Sequence, residues 1–358
     1  MILTILTFTI VLSLLVFVHE AGHFLAARAF GITVEEFGFG FPPRAWGFSR
    51  GGTTYSVNWI PLGGFVRLKG EAGDSRAKDS FAGQSLLRRL AVIAAGVVMN
   101  VLLATGLFSV GYGIGIPQEI GGPLPYGAHV RDRELQIAEV LDGSPAERAA
   151  FLPRDQVIAV DGATVRSGED FRARVAAAED REISVTVRRG DVETALAVTP
   201  TLLAETGKPG IGVALFESGV VSFPWYLAPV AGVRATATYA IDILLAFGDL
   251  VRSLVTTGAP SVDVSGPVGI AVLTGKVARL GFIYLLQFTA LLSLNLAIIN
   301  ILPIPALDGG RVLFLAIERA RGRAVSARIE TMVHQAGFAA LLLLVAVVTF
   351  YDVMRFFR

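Results

Sequence analysis

"LLVFVHEAGHFLAARAF", residues 14–30, places two histidines and a glutamate in a run that is otherwise apolar from Met1 to Val18. An ionisable side chain at membrane depth costs several kcal/mol, roughly 2.5–3.5 on insertion scales, so such residues mark function rather than filler. His19 and His23 are spaced i, i+4, which on a helix sets both imidazoles on one face with Glu20 beside them. That is H-E-x-x-H: two nitrogens able to share a metal ion, and a carboxylate able to take a proton from a water held by that metal. A third protein ligand is missing from this stretch and must come from elsewhere in the chain.

The rest of the chain bounds where it can come from. Of 358 residues 53% are hydrophobic and 17% charged, and the mean hydropathy is +0.62. This is the profile of a polytopic membrane protein rather than a soluble domain. A formal net charge of +1 gives no footprint for nucleic acid. With no cysteine, disulfide staples, zinc-thiolate sites and cysteine nucleophiles are all excluded. With only four histidines, two of them already in the opening motif, a transition-metal site needs a carboxylate.

Four segments have the length and apolarity of membrane helices: residues 1–30, 89–116, 281–311 and 334–355. The first lacks the basic n-region of a signal peptide and reads as a retained helix. Residues 218–258 invite a fifth span, but Arg234, Asp242, Asp249 and Arg252 draw a polar stripe beside Tyr239, Ile243, Leu244 and Phe247, the pattern of an amphipathic helix on the membrane surface. The loop 31–88 carries Arg44, Arg50, Arg67, Lys69, Arg76, Lys78, Arg88 and Arg89, and the last loop carries Arg311, Arg319, Arg321, Arg323 and Arg328. The positive-inside rule sets both loops in the cytoplasm and both termini, with the long middle segment, outside.

Two β-rich stretches stand out. "TTYSVNWIPLGGFVRLKGE", residues 53–71, alternates Tyr55, Val57 and Trp59 with polar residues and reads as a membrane-associated hairpin turning at Pro61 to Gly64. Its edge strand, with Tyr55, Val57 and Trp59, is expected to pair with an extended peptide; a small loop domain with an interfacial anchor fits the same pattern. Residues 128–203 change to the composition of an α/β module. A strand leads to the Ser144-Pro145 turn and a short helix, then a strand over Gln156 to Val160, the Asp161-Gly162 turn, and a hairpin centred on Arg189 to Asp191.

The candidate third ligand lies in "SLNLAIINILPIPALDGGRVLF", residues 293–314, whose one acidic side chain is Asp308. Pro303 and Pro305 interrupt the helix before it, and irregular backbone at membrane depth is tolerated where it is buried in protein or lines a cavity. Gly309 and Gly310 allow close backbone approach, and a carboxylate suits zinc beside two histidines.

H-E-x-x-H on the first span, together with Asn300-Ile-Leu-Pro303-Ile-Pro305-Ala-Leu307-Asp308-Gly309 on a late one, resembles the site-2 protease family of intramembrane zinc metalloproteases, its bacterial RseP-like branch above all. The likeness extends to "VSGPVGIA" at 264–271 and to the middle module, which looks like a single PDZ domain. The resemblance implies a four-span α-helical protein of the bacterial inner membrane with an extracytoplasmic PDZ-like domain and an active site toward the cytoplasm. It implies Zn2+ held by His19, His23 and Asp308, Glu20 as catalytic base, and Asn295 and Asn300 in substrate handling or support of the active site. The implied reaction is hydrolysis of peptide bonds in the membrane segments of single-span proteins, such as anti-sigma factors or remnant signal peptides, with the bilayer as the other partner. The hairpin would hold the unwound substrate by strand addition, and the PDZ-like module with the surface helix would act as a size filter or docking site. Two departures from the family pattern are visible: Gly96-Val97-Val98-Met99-Asn100 lacks a proline, and Phe151-Leu152 with Arg154-Asp155 replaces a G-L-x-x-G-D run. A zinc-binding membrane adaptor or chaperone that cleaves nothing is the alternative, and Glu20 speaks against it, since metal binding alone does not require a base.

Overall fold

In the computed structural model, which describes residues 2–71, 75, 77–122, 124–203, 207–258, 265–323 and 325–356, the chain forms two compact units. One is Tyr112–Ala228; the other joins Met1–Gly111 with Pro229–Arg358. Arg76 and Val264, which entered the loop-charge and motif readings, lie outside the described residues.

The second of these units opens with helix α1, Ile2–Ala29. Gly31, at φ +71°, ends it: the Ile32 amide reaches back to the Ala27 carbonyl (2.9 Å), and the chain turns into a strand. Strand β1 is Val34–Arg50 and β2 is Thr53–Leu68, joined by the left-handed pair Gly51-Gly52. A buried cluster of Ala27, Ile32, Val34, Leu68, Val92 and Leu315 fixes this sheet against the helices.

The sheet differs from the expected hairpin. Residues 53–60 and 64–68 do not pair with each other. Both pair with β1: Glu36 to Phe39 lie between Thr54 to Val57 on one side and Gly64 to Arg67 on the other, while Arg44 to Arg50 pair with Thr53 to Asn58 around the Gly51-Gly52 turn. Pro61 and Gly63 bend β2 without reversing it onto itself. Thr54 to Val57, the stretch holding Tyr55, is thus paired on both sides, and the outer flank of the sheet near the helices is 64–68. Trp46 and Trp59 leave more than half of their surface exposed on the projecting part.

Helix α2 is Leu86–Ile114. After it come the elements of the first unit: β3 Ile116–Glu119, β4 His129–Val140, α3 Pro145–Arg148, β5 Gln156–Val160, β6 Ala163–Thr164 and α4 Gly168–Ala176. They continue with β7 Ile183–Arg189, β8 Val192–Val198, β9 Thr201–Leu202, β10 Pro209–Gly210 and β11 Val213–Ser222. The seven-stranded sheet runs β3-β11-β4-β5-β7-β8, with β6 on β5. Ser144 caps α3 and Ser167 caps α4, each accepting from the amide three residues on. Phe151, Phe171, Ile137, Ile183 and Val185 fill the core. The module therefore extends beyond 128–203, because β11, a central strand, pairs with β4 from the far side of that boundary.

The remaining helices are α5 Ala228–Thr257, α6 Pro267–Leu280, α7 Phe282–Ile301, α8 Asp308–Arg321 and α9 Ala327–Phe356. Five described helices are long and apolar enough to cross a membrane: α1, α2, α5, α7 and most of α9. The addition to the four expected is α5. It packs along α2, with Tyr239 stacked on Phe108 at 5.2 Å and Thr105 donating to Thr236 (3.1 Å).

Candidate active site

Three side chains from the two ends of the chain converge. His19 Nε2 lies 3.0 Å from Asp308 Oδ2, His23 Nε2 lies 3.3 Å from the same oxygen, and the two Nε2 atoms are 3.1 Å apart. Three donors bound at about 2.0–2.1 Å around a tetrahedral ion stand about 3.3 Å from one another, so this triangle has the size a zinc ion would need. Among the described residues this is the one such group of histidines and acids close enough to share an ion.

The surroundings fix how the two rings are turned. His23 Nδ1 donates to the Val92 carbonyl (2.8 Å), which leaves the Nε2 lone pair facing the centre. His19 Nδ1 lies 3.3 Å from the Asn100 amide nitrogen, while Asn100 Oδ1 is buried with no partner among the described residues. A half-turn of the Asn100 amide puts Oδ1 on the His19 Nδ1 hydrogen and frees Nε2 for a cation, the arrangement His23 already has. Asn100 in turn is placed by Ser293, whose hydroxyl donates to the Asn100 carbonyl (2.8 Å).

Two glycines let α1 and α2 come this close. A Cβ on Gly96 would stand 2.4 Å from His23 Nε2, and one on Gly22 would stand 2.3 Å from the Ala95 carbonyl oxygen. Gly96 and Asn100, one turn apart, thus serve the imidazoles without the proline of the family pattern.

Asp308 begins α8, so the partial positive charge of a helix N-terminus faces its carboxylate. The fold-back that puts it there depends on the glycines after it: a Cβ on Gly309 would sit 2.1 Å from the Leu302 carbonyl oxygen, and one on Gly310 would sit 2.5 Å from that of Ile304.

Glu20 turns toward the sheet. Its Oε2 accepts from the Val66 amide (3.1 Å) on the flank of β2 that β1 does not occupy. The next amide on that flank, Leu68, donates to Glu71 (3.2 Å), which also pairs with Arg311. A cavity of about 850 Å³ opens here, with Val66, Leu68, Glu71, Ala306, Arg311 and His334 in its wall. Asn295 uses its amide on its own helix, donating to the Leu291 carbonyl (3.0 Å), and Asn300 is half-buried at the end of α7. The sequence reading passed over Val66, a main-chain donor with no side-chain signature.

Comparison with known proteins adds four findings. The family described as "Peptidase family M50" matches residues 7–344. The zinc metalloprotease RasP of Geobacillus kaustophilus is 31% identical, over 99% of this chain and 98% of its own length. The regulator of sigma-W protease RasP of Bacillus subtilis is 29% identical, over 99% of both. Among solved structures, the PDZ domain of an SdrC-like protein from Listeria monocytogenes aligns with 26% of this chain and 93% of its own, at 20% identity and a TM-score of 0.22.

Proposed function

The chain belongs to peptidase family M50 and is an intramembrane zinc metalloprotease of the site-2 type, and from that premise we propose which of its residues do the work. His19, His23 and Asp308 hold the zinc, and Glu20 is the base. The observation that carries this reading is the triangle of Nε2, Nε2 and Oδ2 with edges of 3.0 to 3.3 Å, drawn from residues 289 positions apart.

Zinc supplies an acidified water and a Lewis acid. Glu20 takes the water's proton as its oxygen adds to the scissile carbonyl carbon, and returns it to the amine nitrogen when the C–N bond breaks. A helical substrate hides that carbonyl in its own hydrogen bonds and must unwind first. The flank 64–68 of β2 is the place for the unwound segment, since its outward amides at Val66 and Leu68 are taken by carboxylates rather than by a strand. This moves the substrate-binding role from Tyr55, Val57 and Trp59, which remain as the apolar part of the sheet facing lipid, to the main chain of 64–68. Asn295 and Asn300 support the end of α7 in this reading. Water reaches the site through the cavity beside Val66 and Ala306.

Both Arg-rich loops share the cytoplasmic side only if an even number of spans separates them, so α5 does not complete a crossing, and the PDZ-like unit is extracytoplasmic. There it acts as a size filter for substrates. The Bacillus relative is called a regulator of sigma-W protease, which supports single-span anti-sigma factors as the substrate class, beside remnant signal peptides.

The test is to incubate the purified enzyme with a single-span substrate and locate the cut by mass spectrometry. New termini inside the apolar segment are expected. Cuts confined to flanking loops would refute strand capture at membrane depth.

A further inference from the structure

Asp308 reaches the histidines from a loop that the end of α7 cannot hold by itself. Pro303 and Pro305 contribute no amide hydrogen to that loop, and Ala306 sits at φ +80°, a left-handed conformation disfavoured for a residue with a side chain. The neighbouring amides close locally: Ile304 donates to the Leu302 carbonyl, Leu307 to Ile304, and Gly310 to Leu307. The Ala306 amide instead leaves the loop altogether and donates to Nδ1 of His334 on α9 (3.0 Å). A main-chain N–H can only donate, so Nδ1 is the unprotonated nitrogen and the neutral ring carries its hydrogen on Nε2. That Nε2 is buried with no partner among the described residues, so the polar bond this ring makes there is the one to the loop.

One turn further along α9, Gly337 presses on the same segment. A Cβ there would stand 2.4 Å from Pro305 Cβ and 2.8 Å from the Pro305 carbonyl oxygen. Phe314, on α8, packs against the His334 ring at 5.5 Å. The last helix, which supplies none of the three converging side chains, therefore grips the loop at Pro305 and Ala306, just before Asp308.

We propose that His334 is a positioning residue for the metal centre: by accepting the Ala306 amide it holds that residue left-handed and so sets the approach of Asp308 to His19 and His23. The inference rests on the reading of Asp308 as a zinc ligand. Losing an outer partner of a metal ligand weakens metal binding by about 10–100-fold, and that is the size of effect expected. An ordinary core histidine would change stability and leave metal affinity alone.

The experiment titrates full-length, detergent-solubilised protein with a graded series of chelators and measures retained zinc, which does not depend on turnover. His334→Phe keeps the packing on Phe314 but cannot accept, and zinc should be held about 10–100-fold more weakly. His334→Asn offers an oxygen close to where Nδ1 stood, and should return affinity to within about threefold of wild type. Gly337→Ala, which pushes on Pro305 and leaves His334 in place, should weaken zinc in the same direction. Wild-type affinity in His334→Phe, or an Asn variant no better than the Phe variant, would overturn the proposal. If His19→Ala and Asp308→Asn hold zinc as tightly as wild type, the ligand reading itself fails, a result distinguishable from failure at His334.

Discussion

His23 Nε2 and the missing side chain of Gly96 illustrate how little room the centre has: a methyl group at position 96 would lie 2.4 Å from that nitrogen. Gly96→Ala should therefore displace the imidazole and cut both zinc content and hydrolysis by about 10²-fold, the scale of a misplacement of roughly 1 Å. Metal analysis beside a cleavage assay checks it, and wild-type zinc content in the variant would count against the packing described. The three side chains that converge were legible in the sequence because ionisable groups in apolar runs have few innocent explanations. H-E-x-x-H carries its own geometry, and Asp308 was the one acid in its stretch. A lone histidine such as His334 gives no sign in the sequence of a partner 28 positions back, which shows only once the loop at Ala306 is seen in space. Asn100 was half legible: its spacing from Gly96 showed, its contact with His19 did not.

Strand β2 shows where pattern reading runs out among elements. Alternation from Tyr55 to Trp59 identified a strand, and Pro61 to Gly64 looked like its turn, yet both halves pair with β1. Gly38, Gly40, Pro42, Pro43 and Gly47 break the apolar alternation of β1, so its sequence reads as loop although alternate residues from Val34 to Gly40 are buried. The free flank of β2 yields a prediction. Val66→Pro deletes the amide that holds Glu20 on the side away from β1, where proline is tolerated. The sheet should persist while kcat/KM for a single-span substrate falls about 10-fold or more; undiminished kcat/KM would remove this flank from the mechanism. In the β-rich unit, Asp155 is almost wholly buried. Burial alone would raise its carboxyl, but the Arg189 guanidinium and the Leu152 amide outweigh that and hold it below the usual carboxylate range. A lowered folded-state value stabilises the fold above the unfolded value, about 3.9, and that stability is lost as pH falls through the folded one. Hydrogen exchange around Leu152 should thus be insensitive to this group from pH 7 to about 5, once the intrinsic pH dependence of exchange is removed. Protection should be lost at lower pH, and Asp155→Asn should flatten that acid-side loss; a variant with the same profile as wild type would refute the assignment.

At the scale of the whole molecule, the absence of native cysteine makes topology directly measurable with single introduced thiols. If the β-rich unit is extracytoplasmic and α5 does not cross, Val192→Cys and Thr257→Cys should both react with an impermeant maleimide applied outside the cell, and Lys78→Cys should not. Labelling of Val192→Cys without Thr257→Cys would make α5 a fifth span. Composition announced a membrane protein with a β-rich insert, but not the register of its sheets, because those pairings join stretches whose separate patterns say nothing of each other. The central claim is that one carboxylate beside two metal-binding histidines does the chemistry, and it is tested most directly by comparing wild type with Glu20→Gln, with zinc measured in both, on a single-span substrate in detergent. The account predicts equal zinc, cleavage by wild type that a chelator abolishes, and a loss of about 10²–10⁴-fold in the variant. Comparable cleavage by a zinc-loaded Glu20→Gln enzyme would contradict it.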